Sequence, residues 1–437
     1  MTNEEATSFM DFIMAEMTRL FLAEWITKTA IKTGFIKRER KIYPVHFFWT
    51  MIIGPVHCKE KSIVELKRLY EIYSGVTLSD SSWYCRFTPE LVAFLRECVI
   101  HGLKQLATES CRSLDSQLNC FLDVFIKDNT IIRLHKALAD KFPATRSRRV
   151  AAGVKLSILI SVISNSPKSI SIIPERTSDI KTLKIGSWIR DRILLFDLGF
   201  YKFSTFSKIR ENGGYFVSRV KSNANPLIIG LNPGCKIDNN KITGKKLSEV
   251  LKSLNGDTLD VNVEIPHHNN RKKRKKNLII ESFRVVAIYN DELKKYHTYI
   301  TNISTDILMT EYIANLYRGR WEIELLFKEM KSNYQLDVVE TKNQQIAEAL
   351  IWTSILTTIF SRKLYNIIRK LNPDKQLIRF TLLRWSKVLI GHSHAILHDI
   401  LCYLDSNDIS MTWYEILVRQ ALDPHVNRDR LQDGLWA

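Results

Sequence analysis

The strand-forming segments between residues 118 and 300 are the feature that most restricts the fold of this chain. Short runs rich in β-branched residues, such as VKLSILISVIS and RILLFDLGF, are bounded by turn residues, which is typical of strands. Residues 1 to about 115, and those after about 305, instead repeat apolar residues every three or four positions, which indicates helices. The sequence therefore predicts a mixed α/β fold, with a strand-rich centre between two helical regions.

The charge of the chain indicates its class of partner. Its 437 residues carry a formal net charge of +18, and the sequence pI is about 9.5. Such an excess attracts a polyanion, most often nucleic acid, although a basic protein without such a partner is the alternative. The balance of 45% hydrophobic and 25% charged residues is that of a globular chain and excludes a disordered one.

Cysteines and apolar runs bear on the compartment. The seven cysteines form no Cys-x-x-Cys pair, which argues against a zinc ribbon and a disulfide framework, so we expect buried thiols in a reducing compartment. The N-terminus lacks the pattern of a secretory signal, and ALIWTSILTTIF (349–360) is too short to span a bilayer. We expect a cytoplasmic protein with no membrane partner.

The stretch YRGRWEIELLFKEMK, residues 317–331, combines charge with large apolar residues. On one continuous helix, four polar residues would fall within an arc of about 60°: Tyr317, Arg320, Glu324 and Lys331. A surface helix with charge pairs four residues apart is one interpretation. The other is a site for phosphodiester chemistry, in which a carboxylate holds a metal while cations and a hydroxyl contact phosphates.

The spacing Tyr-x2-Arg-x3-Glu-x6-Lys resembles the signature of the DDE transposases of bacterial and archaeal insertion sequences, specifically the YREK-signature family. Trp321, directly after the Arg, also fits that family. The resemblance implies an RNase H-like core with three acidic residues. The first lies on or just after the first strand, the second at the end of a later strand, and the third on a helix, here Glu324.

The first acidic position corresponds to Asp128 in FIKDNTIIRLH, where DNT resembles the family's Asp-x-Thr. The alternative is a turn residue, because Asp-Asn favours a hairpin between two strands. Asp123 lies on the opposite parity of the predicted strand and is the less suitable candidate.

The second acidic position corresponds to Asp197, at the carboxyl end of the buried run RILLF. A carboxylate there is unfavourable unless it is paired or binds a metal, and ligands of α/β sheets collect at such strand ends. Asp191 lies in a charged turn before the strand and is the less suitable candidate.

The resemblance also implies a domain organisation. We expect a helical end-DNA-binding region at 1–115 and an RNase H-like catalytic domain at 116–222 plus 301–345. A β-rich insertion at 223–300 would interrupt that domain, and a helical region at 346–437 would form a dimer contact.

The same resemblance implies cofactors and contacts. Asp128, Asp197 and Glu324 would bind two Mg²⁺ ions, with Mn²⁺ as a substitute. The expected DNA contacts are Tyr317, Arg320, Trp321, Lys331, Arg219 and Lys221. The basic run RKKRKK (271–276) is either a solvated hairpin tip or a further backbone contact.

One feature departs from relatives that hold a flipped base on a Trp of the insertion. No Trp lies between residues 189 and 320, so an aromatic residue would have to stack instead. The candidates are Phe283, Tyr289, Tyr296 and Tyr299.

The function implied is metal-dependent cleavage of double-stranded DNA at the terminal inverted repeats of a transposon, followed by transfer to target DNA, by a homodimer on DNA. Two alternatives stay open: a catalytically inactive DNA-binding derivative or repressor, and a structure-specific nuclease of the same fold.

Overall fold

The computed structural model describes most of the chain. Described are residues 3–38, 40–57, 62–145, 151–235, 237, 239–254, 256, 258–269, 277–337, 339–372, 380–408 and 410–423. The basic run 271–276, predicted above to be a hairpin tip or a DNA contact, lies outside these residues.

Helices make up both ends of the described chain and also separate several strands. The helices are α1 (Asn3–Arg19), α2 (Ala23–Lys32), α3 (Pro44–His57), α4 (Ile63–Ser74), α5 (Asp80–Tyr84), α6 (Pro89–Leu106), α7 (Asp179–Thr182), α8 (Phe203–Glu211), α9 (Asn239–Ile242), α10 (Leu247–Ser253), α11 (Thr310–Arg318), α12 (Trp321–Ser332), α13 (Gln344–Leu371), α14 (Leu382–Ser406) and α15 (Tyr414–Ala421).

The strands lie in the centre of the chain, as the sequence predicts. They are β1 (Asp123–Leu134), β2 (Ala152–Ser161), β3 (Ser166–Pro174), β4 (Arg192–Phe196), β5 (Tyr215–Arg219), β6 (Leu227–Leu231), β7 (Leu259–Asn269), β8 (Asn277–Asn290) and β9 (Lys295–Thr301). Within the described residues they form one nine-stranded sheet in the order β3-β2-β1-β4-β5-β9-β8-β7-β6.

The sheet combines both kinds of pairing. β1, β2 and β3 are antiparallel neighbours, while β4 runs parallel to both β1 and β5. This arrangement confirms the mixed α/β class with an RNase H-like core and flanking helices. The strands of the predicted insertion continue the same sheet, because β9 pairs antiparallel with β5. The division into domains stays a prediction.

Two hydrophobic cores lie on the two faces of this sheet. Ile126 of β1 and Leu195 of β4 belong to the larger core, which includes α12, α13 and the N-terminal helices. Phe125 and Phe196, one residue away on each strand, belong to the smaller core beneath α8 and the strands after β5. Because side chains alternate along a strand, the parity of a residue tells which face it occupies.

Helix α13 is the centre of the larger core. Its residues 349–368 are buried throughout, which confirms the buried helix predicted for 349–360. A buried ion pair joins it to α12, since Arg362 donates to the carboxylate of Glu329. The hydroxyl of Tyr334 also donates to that carboxylate, at 3.0 Å. Burial raises the pKa of Glu329, and the positive charge of Arg362 acts in the opposite direction.

Three local predictions are wrong. The Asp128-Asn129 pair makes no hairpin turn, because β1 continues through it from Asp123 to Leu134. Residues 317–331 are not one helix, because α11 ends at Arg318 and α12 begins at Trp321. Gly319 and Arg320 keep right-handed dihedral angles, so the axis is interrupted rather than reversed. Of the described cysteines only Cys98 is buried.

Among the described helices, none combines the length and the apolar character that crossing a membrane requires.

The Glu329–Arg362 pair gives the first testable prediction. Replacing Arg362 with Leu leaves a fully buried carboxylate without its cation, which should lower the free energy of unfolding by about 3–5 kcal/mol. The double variant Glu329→Met/Arg362→Leu should recover most of that loss. Urea denaturation followed by circular dichroism measures both. A single variant as stable as the wild type, or a double variant as unstable as the single one, would contradict this role.

Candidate active site

The pairing of β1 with β4 brings the first two predicted carboxylates side by side. These strands are parallel, and Lys127 is the register partner of Phe196. One position further along stand Asp128 and Asp197, the latter directly after the end of β4. Adjacent strands lie about 4.8 Å apart, and residues in the same register point to the same face. Both carboxylates therefore face the larger core.

Helix α12 brings the third carboxylate to this position, since it packs against β1. Glu324 lies in its first turn. The electrostatics of Asp128 reflect the convergence of the three groups. Burial, followed by the negative charges of Asp197 and Glu324, raises the pKa of Asp128 to about 6, while the Asn129 N–H and Arg320 act in the opposite direction.

Arg320 supplies the positive charge between two of these carboxylates. Its Nη2 donates to Oε1 of Glu324 at 2.5 Å, and its Nη1 lies 3.4 Å from Oδ2 of Asp128. The position at the start of α12 makes this possible, because the interruption after α11 places Arg320 above β1. The Arg320 side chain is 15% exposed and that of Glu324 is 34% exposed, so the pair is partly open to solvent on the Glu324 side.

Tyr317, at the end of α11, lies beside Arg320. The guanidinium carbon of Arg320 lies 5.7 Å from the centre of its ring. Burial raises the pKa of Tyr317 to about 12, so the hydroxyl keeps its proton as a hydrogen-bond donor. That hydroxyl lies against the Arg320 guanidinium, which acts to lower its pKa, but neither the hydroxyl proton nor Nε of Arg320 has an acceptor in hydrogen-bond geometry. Two buried donors without acceptors suit an anionic ligand such as a phosphate.

The same face continues across β5 and β9. Leu195 pairs with Val217, so two positions further along Asp197 stands beside Arg219. Arg219 in turn pairs with Tyr299 of β9. The ring of Tyr299 lies 5.4 Å from that of Tyr317. A row of side chains therefore crosses four neighbouring strands under α11 and α12.

The other predicted DNA contacts occupy three different places. Lys331, in the last turn of α12, lies over β1, where its Nζ donates to the carbonyl of Ile131 at 3.0 Å. Lys221 does not join the row, because its ammonium lies 5.4 Å from the centre of the ring of Tyr201, which belongs to the smaller core. Trp321 begins α12 and is 53% exposed, so it is accessible to a ligand from solvent.

The structure separates the four stacking candidates. Phe283 is buried in the smaller core on the opposite face. Tyr289 pairs with Tyr296 near the end of the β8–β9 hairpin, and Tyr296 packs on that same smaller core. Only Tyr299, of these four, lies in the row beside Tyr317.

The two less suitable acidic candidates, Asp123 and Asp191, occupy positions outside the proposed site. Asp123 begins β1 and accepts hydrogen bonds from Ser161 Oγ at 2.5 Å and from the Ile163 N–H at 3.2 Å. Asp191 is exposed, in a left-handed conformation with φ of 56°. Neither side chain joins the row.

Two parts of the surroundings were missed by the sequence analysis. His297 of β9 lies on the same parity as Tyr299, and its Nε2 is buried without a partner. Asn129 donates its backbone N–H to Oδ1 of Asp128 at 2.7 Å. The position of Asn129 directly after Asp128 is a signal that could have found it, but no pattern in the sequence indicates His297.

The chemistry of the donors suits a divalent cation. Carboxylate oxygens are the ligands that Mg²⁺ and Mn²⁺ prefer. Burial is the main cause of the raised pKa of Asp128, and the negative charges of Asp197 and Glu324, which a cation would neutralise, add to it. Within the described part of the chain, no group of three or more His, Cys, Asp or Glu residues is already arranged as a metal site. The three carboxylates converge, but Arg320 stands between Asp128 and Glu324.

Comparison with known proteins places these elements in a family. A family model described as Transposase DDE domain matches residues 119–360, which include all three carboxylates. The chain is similar to the transposase for insertion sequence element IS1151 of Clostridium perfringens, at 25% identity over 72% of this chain and 72% of that protein. It is also similar to the transposase for insertion sequence element IS231B of Bacillus thuringiensis subsp. berliner, at 22% identity over 85% of this chain and 82% of that protein.

The raised pKa of Asp128 leads to a prediction about stability. Between the ordinary value of 3.8 and about 6, the folded state binds more protons than the unfolded state, so Asp128 reduces stability as the pH rises through this range. At pH 8, in a buffer that chelates divalent cations, Asp128→Asn should therefore be more stable than the wild type by on the order of 2 kcal/mol. The difference should vanish near pH 4.

Thermal unfolding across this pH range measures the effect. Asp140→Asn, at an exposed position, is the matched control and should follow the wild type. An Asp128→Asn variant that unfolds below the wild type at pH 8 would contradict the assigned electrostatics.

Proposed function

The chain belongs to the transposases with a DDE domain, and from this premise we propose that it cleaves DNA strands at the terminal inverted repeats of a transposon and transfers them into target DNA. The observation that carries the proposal is the convergence of Asp128, Asp197 and Glu324 on one face of the sheet, beside Arg320 and Tyr317.

The three carboxylates would hold two Mg²⁺ ions, with Mn²⁺ as a substitute. Bound there, the ions would supply activation of the attacking oxygen and stabilisation of the leaving oxygen in an in-line displacement. The surroundings of Asp128 support this role, because its buried carboxylate and the nearby charges of Asp197 and Glu324 are all stabilised by a positive charge. Arg320 provides part of that charge and would leave Glu324 for a phosphate oxygen when a cation binds.

The DNA backbone would be held by donors on both sides of the carboxylates. Tyr317 and Arg320 have the buried donors without partners, which a phosphate would satisfy. Arg219 lies next to Asp197 in the row across the sheet, and Lys221 follows it. Lys331 would exchange its bond to the Ile131 carbonyl for a phosphate, and Trp321 would contact DNA from the exposed start of α12.

The remaining regions would recognise and pair the ends. We assign end-DNA binding to 1–115, the catalytic domain to 116–222 plus 301–345, and the β-rich insertion to 223–300. The region 346–437 would provide the contact of a homodimer that holds two double-stranded ends. The net charge of +18 supports a polyanionic partner. Membership of the YREK-signature family and a location in the cytoplasm stay predictions from the sequence.

Two alternatives make different predictions. A catalytically inactive derivative would bind end DNA without cutting it in either Mg²⁺ or Mn²⁺. A structure-specific nuclease would cut without terminal repeats and would not join the ends to a target. The retention of all three carboxylates together with Tyr317 and Arg320 favours an active transposase over the inactive derivative.

The first functional prediction concerns the carboxylates. Asp128→Asn, Asp197→Asn and Glu324→Gln should each abolish cleavage of a labelled DNA that carries the gene's own flanking ends, because each removes a charged metal ligand. Binding to the same DNA should persist. Asp191→Asn, an exposed carboxylate before β4, is the control and should cut normally. A variant that still cuts would remove its residue from the proposed site.

The second concerns the backbone contacts. Lys331→Ala and Arg219→Ala should each weaken end-DNA binding and flatten the dependence of log K on log salt by about one unit, as expected for the loss of one phosphate contact. Lys328→Ala removes the same charge from an exposed position of α12 and is the control. Fluorescence anisotropy at several salt concentrations measures the slope. A slope equal to that of the control would return the residue to a structural role.

A further inference from the structure

A polar cluster lies on the opposite face of the sheet, directly behind the carboxylates. We call it the Asp179 cluster, and it consists of Asn129 of β1, Lys155 of β2, and Asp179 and Thr182 of α7. Asp179 is its hub, since its Oδ1 accepts from Nδ2 of Asn129 at 2.7 Å and from Nζ of Lys155 at 2.6 Å. None of these four residues was predicted as part of the site.

The cluster reaches the first carboxylate through Asn129. The Asn129 side chain is held by two hydrogen bonds. Its Nδ2 donates to Asp179, and its Oδ1 accepts from the hydroxyl of Thr182 at 3.4 Å. The backbone N–H of the same Asn129 donates to Oδ1 of Asp128 at 2.7 Å. One residue therefore joins the cluster on one face to the carboxylate on the other.

The cluster reaches the second carboxylate through Gly199. This glycine lies two residues after Asp197, in the turn that ends β4. A Cβ added to Gly199 would lie 2.7 Å from Oδ2 of Asp179, so the Asp179 carboxylate packs directly against this backbone. Its two oxygens thus contact the segments that follow both strand-borne carboxylates.

The positive charges near the Asp179 cluster favour a carboxylate at its centre. Lys155 is 9% exposed in its side chain and pairs with Asp179. Lys127, the residue before Asp128, is buried and donates to Oγ of Ser157 at 2.5 Å. Burial lowers the pKa of Lys127 to about 8, and the charges of Asp128 and Asp179 oppose that shift. Asp179 therefore balances buried positive charge at the carboxyl end of the parallel strands.

We propose that Asp179 is a positioning residue that fixes the spacing of Asp128 and Asp197 for divalent-cation binding, by anchoring Asn129 on β1 and the Gly199 turn after β4. This inference rests on the proposed function, because the spacing matters only if the two carboxylates share cations. Groups that hydrogen-bond a metal ligand directly change metal affinity 10–100-fold when they are replaced. Asp179 acts through Asn129 and the Gly199 turn, so we expect the lower end of that range, about 10-fold. A merely structural ion pair would change stability and leave metal affinity unchanged.

The experiment compares Asp179→Asn with Asp191→Asn in the full chain. Both replacements keep the size of the side chain, and Asp191 lies at the other end of β4, in a left-handed conformation that Asn accepts readily. We expect Asp179→Asn to raise the Mn²⁺ dissociation constant, measured by electron paramagnetic resonance without DNA, by about 10-fold. The Mg²⁺ concentration for half-maximal cleavage of end DNA should rise in parallel.

A second variant approaches the same contact from the other side. Gly199 has no left-handed φ, so Gly199→Ala is compatible with the backbone, but its Cβ would displace the Asp179 carboxylate. It should raise the Mn²⁺ dissociation constant in the same direction. End-DNA binding without metal should stay close to the wild type for both variants. Thermal unfolding of Asp179→Asn should fall, because Lys155 loses its charged partner, so the metal affinity and not the stability is the deciding measurement.

The outcomes separate the inference from the function on which it rests. A wild type that cuts end DNA and binds Mn²⁺, beside Asp179→Asn and Gly199→Ala proteins with unchanged Mn²⁺ affinity, would overturn the inference alone. Loss of stability and DNA binding without a specific loss of metal affinity would also overturn it. A wild type that neither binds Mn²⁺ nor cuts DNA would refute the proposed function, and the inference with it.

Discussion

The parallel pairing of β1 with β4 is the constraint on which the rest of the site depends. It places Asp128 and Asp197 in neighbouring register positions on one face, and the pairing of β4 with β5 extends the row to Arg219. Parallel strands need a crossover, here the segment with β2, β3 and α7 between β1 and β4. That crossover also carries Asp179, so the chain that permits the pairing also supplies the contact behind it.

The convergence of like charges makes the site unfavourable for stability on its own. Burial and mutual repulsion raise the pKa of Asp128, and Arg320 compensates only in part. The opposing support comes from outside the row. The buried Glu329–Arg362 pair joins α12 to α13, and α13 packs against the N-terminal helices, so Glu324 is held by a large core. The unfavourable electrostatics of the three carboxylates are thus offset by the packing around them.

The strands of the predicted insertion belong to the same sheet as the strands that position Asp128 and Asp197. Because β9 pairs with β5, Tyr299 lies next to Arg219 and close to Tyr317. A buried pair, Asp260 with Arg284, further connects β7 and β8 to α11, since Arg284 donates to the Leu308 carbonyl just before that helix. Strands far from the carboxylates in sequence therefore help to set the position of Tyr317.

The sequence by itself determined the α/β class, most strands of the sheet and the residue types of the site. Apolar and β-branched runs identified the strands RILLF and NLIIESFRVVAIYN and the buried helix at 349–360, and spacing singled out Glu324 and its neighbours as candidates. It failed at Asp128-Asn129, where a local turn preference lost to pairing with β2, and at Gly319-Arg320, where a helical repeat cannot show an interrupted axis. Tertiary structure alone decided which aromatic residue lies beside Tyr317, that Arg320 bridges two carboxylates, and that Asp179 lies behind them. These outcomes depend on strand register and crossover packing, which join residues far apart in the chain and leave no local pattern in the sequence.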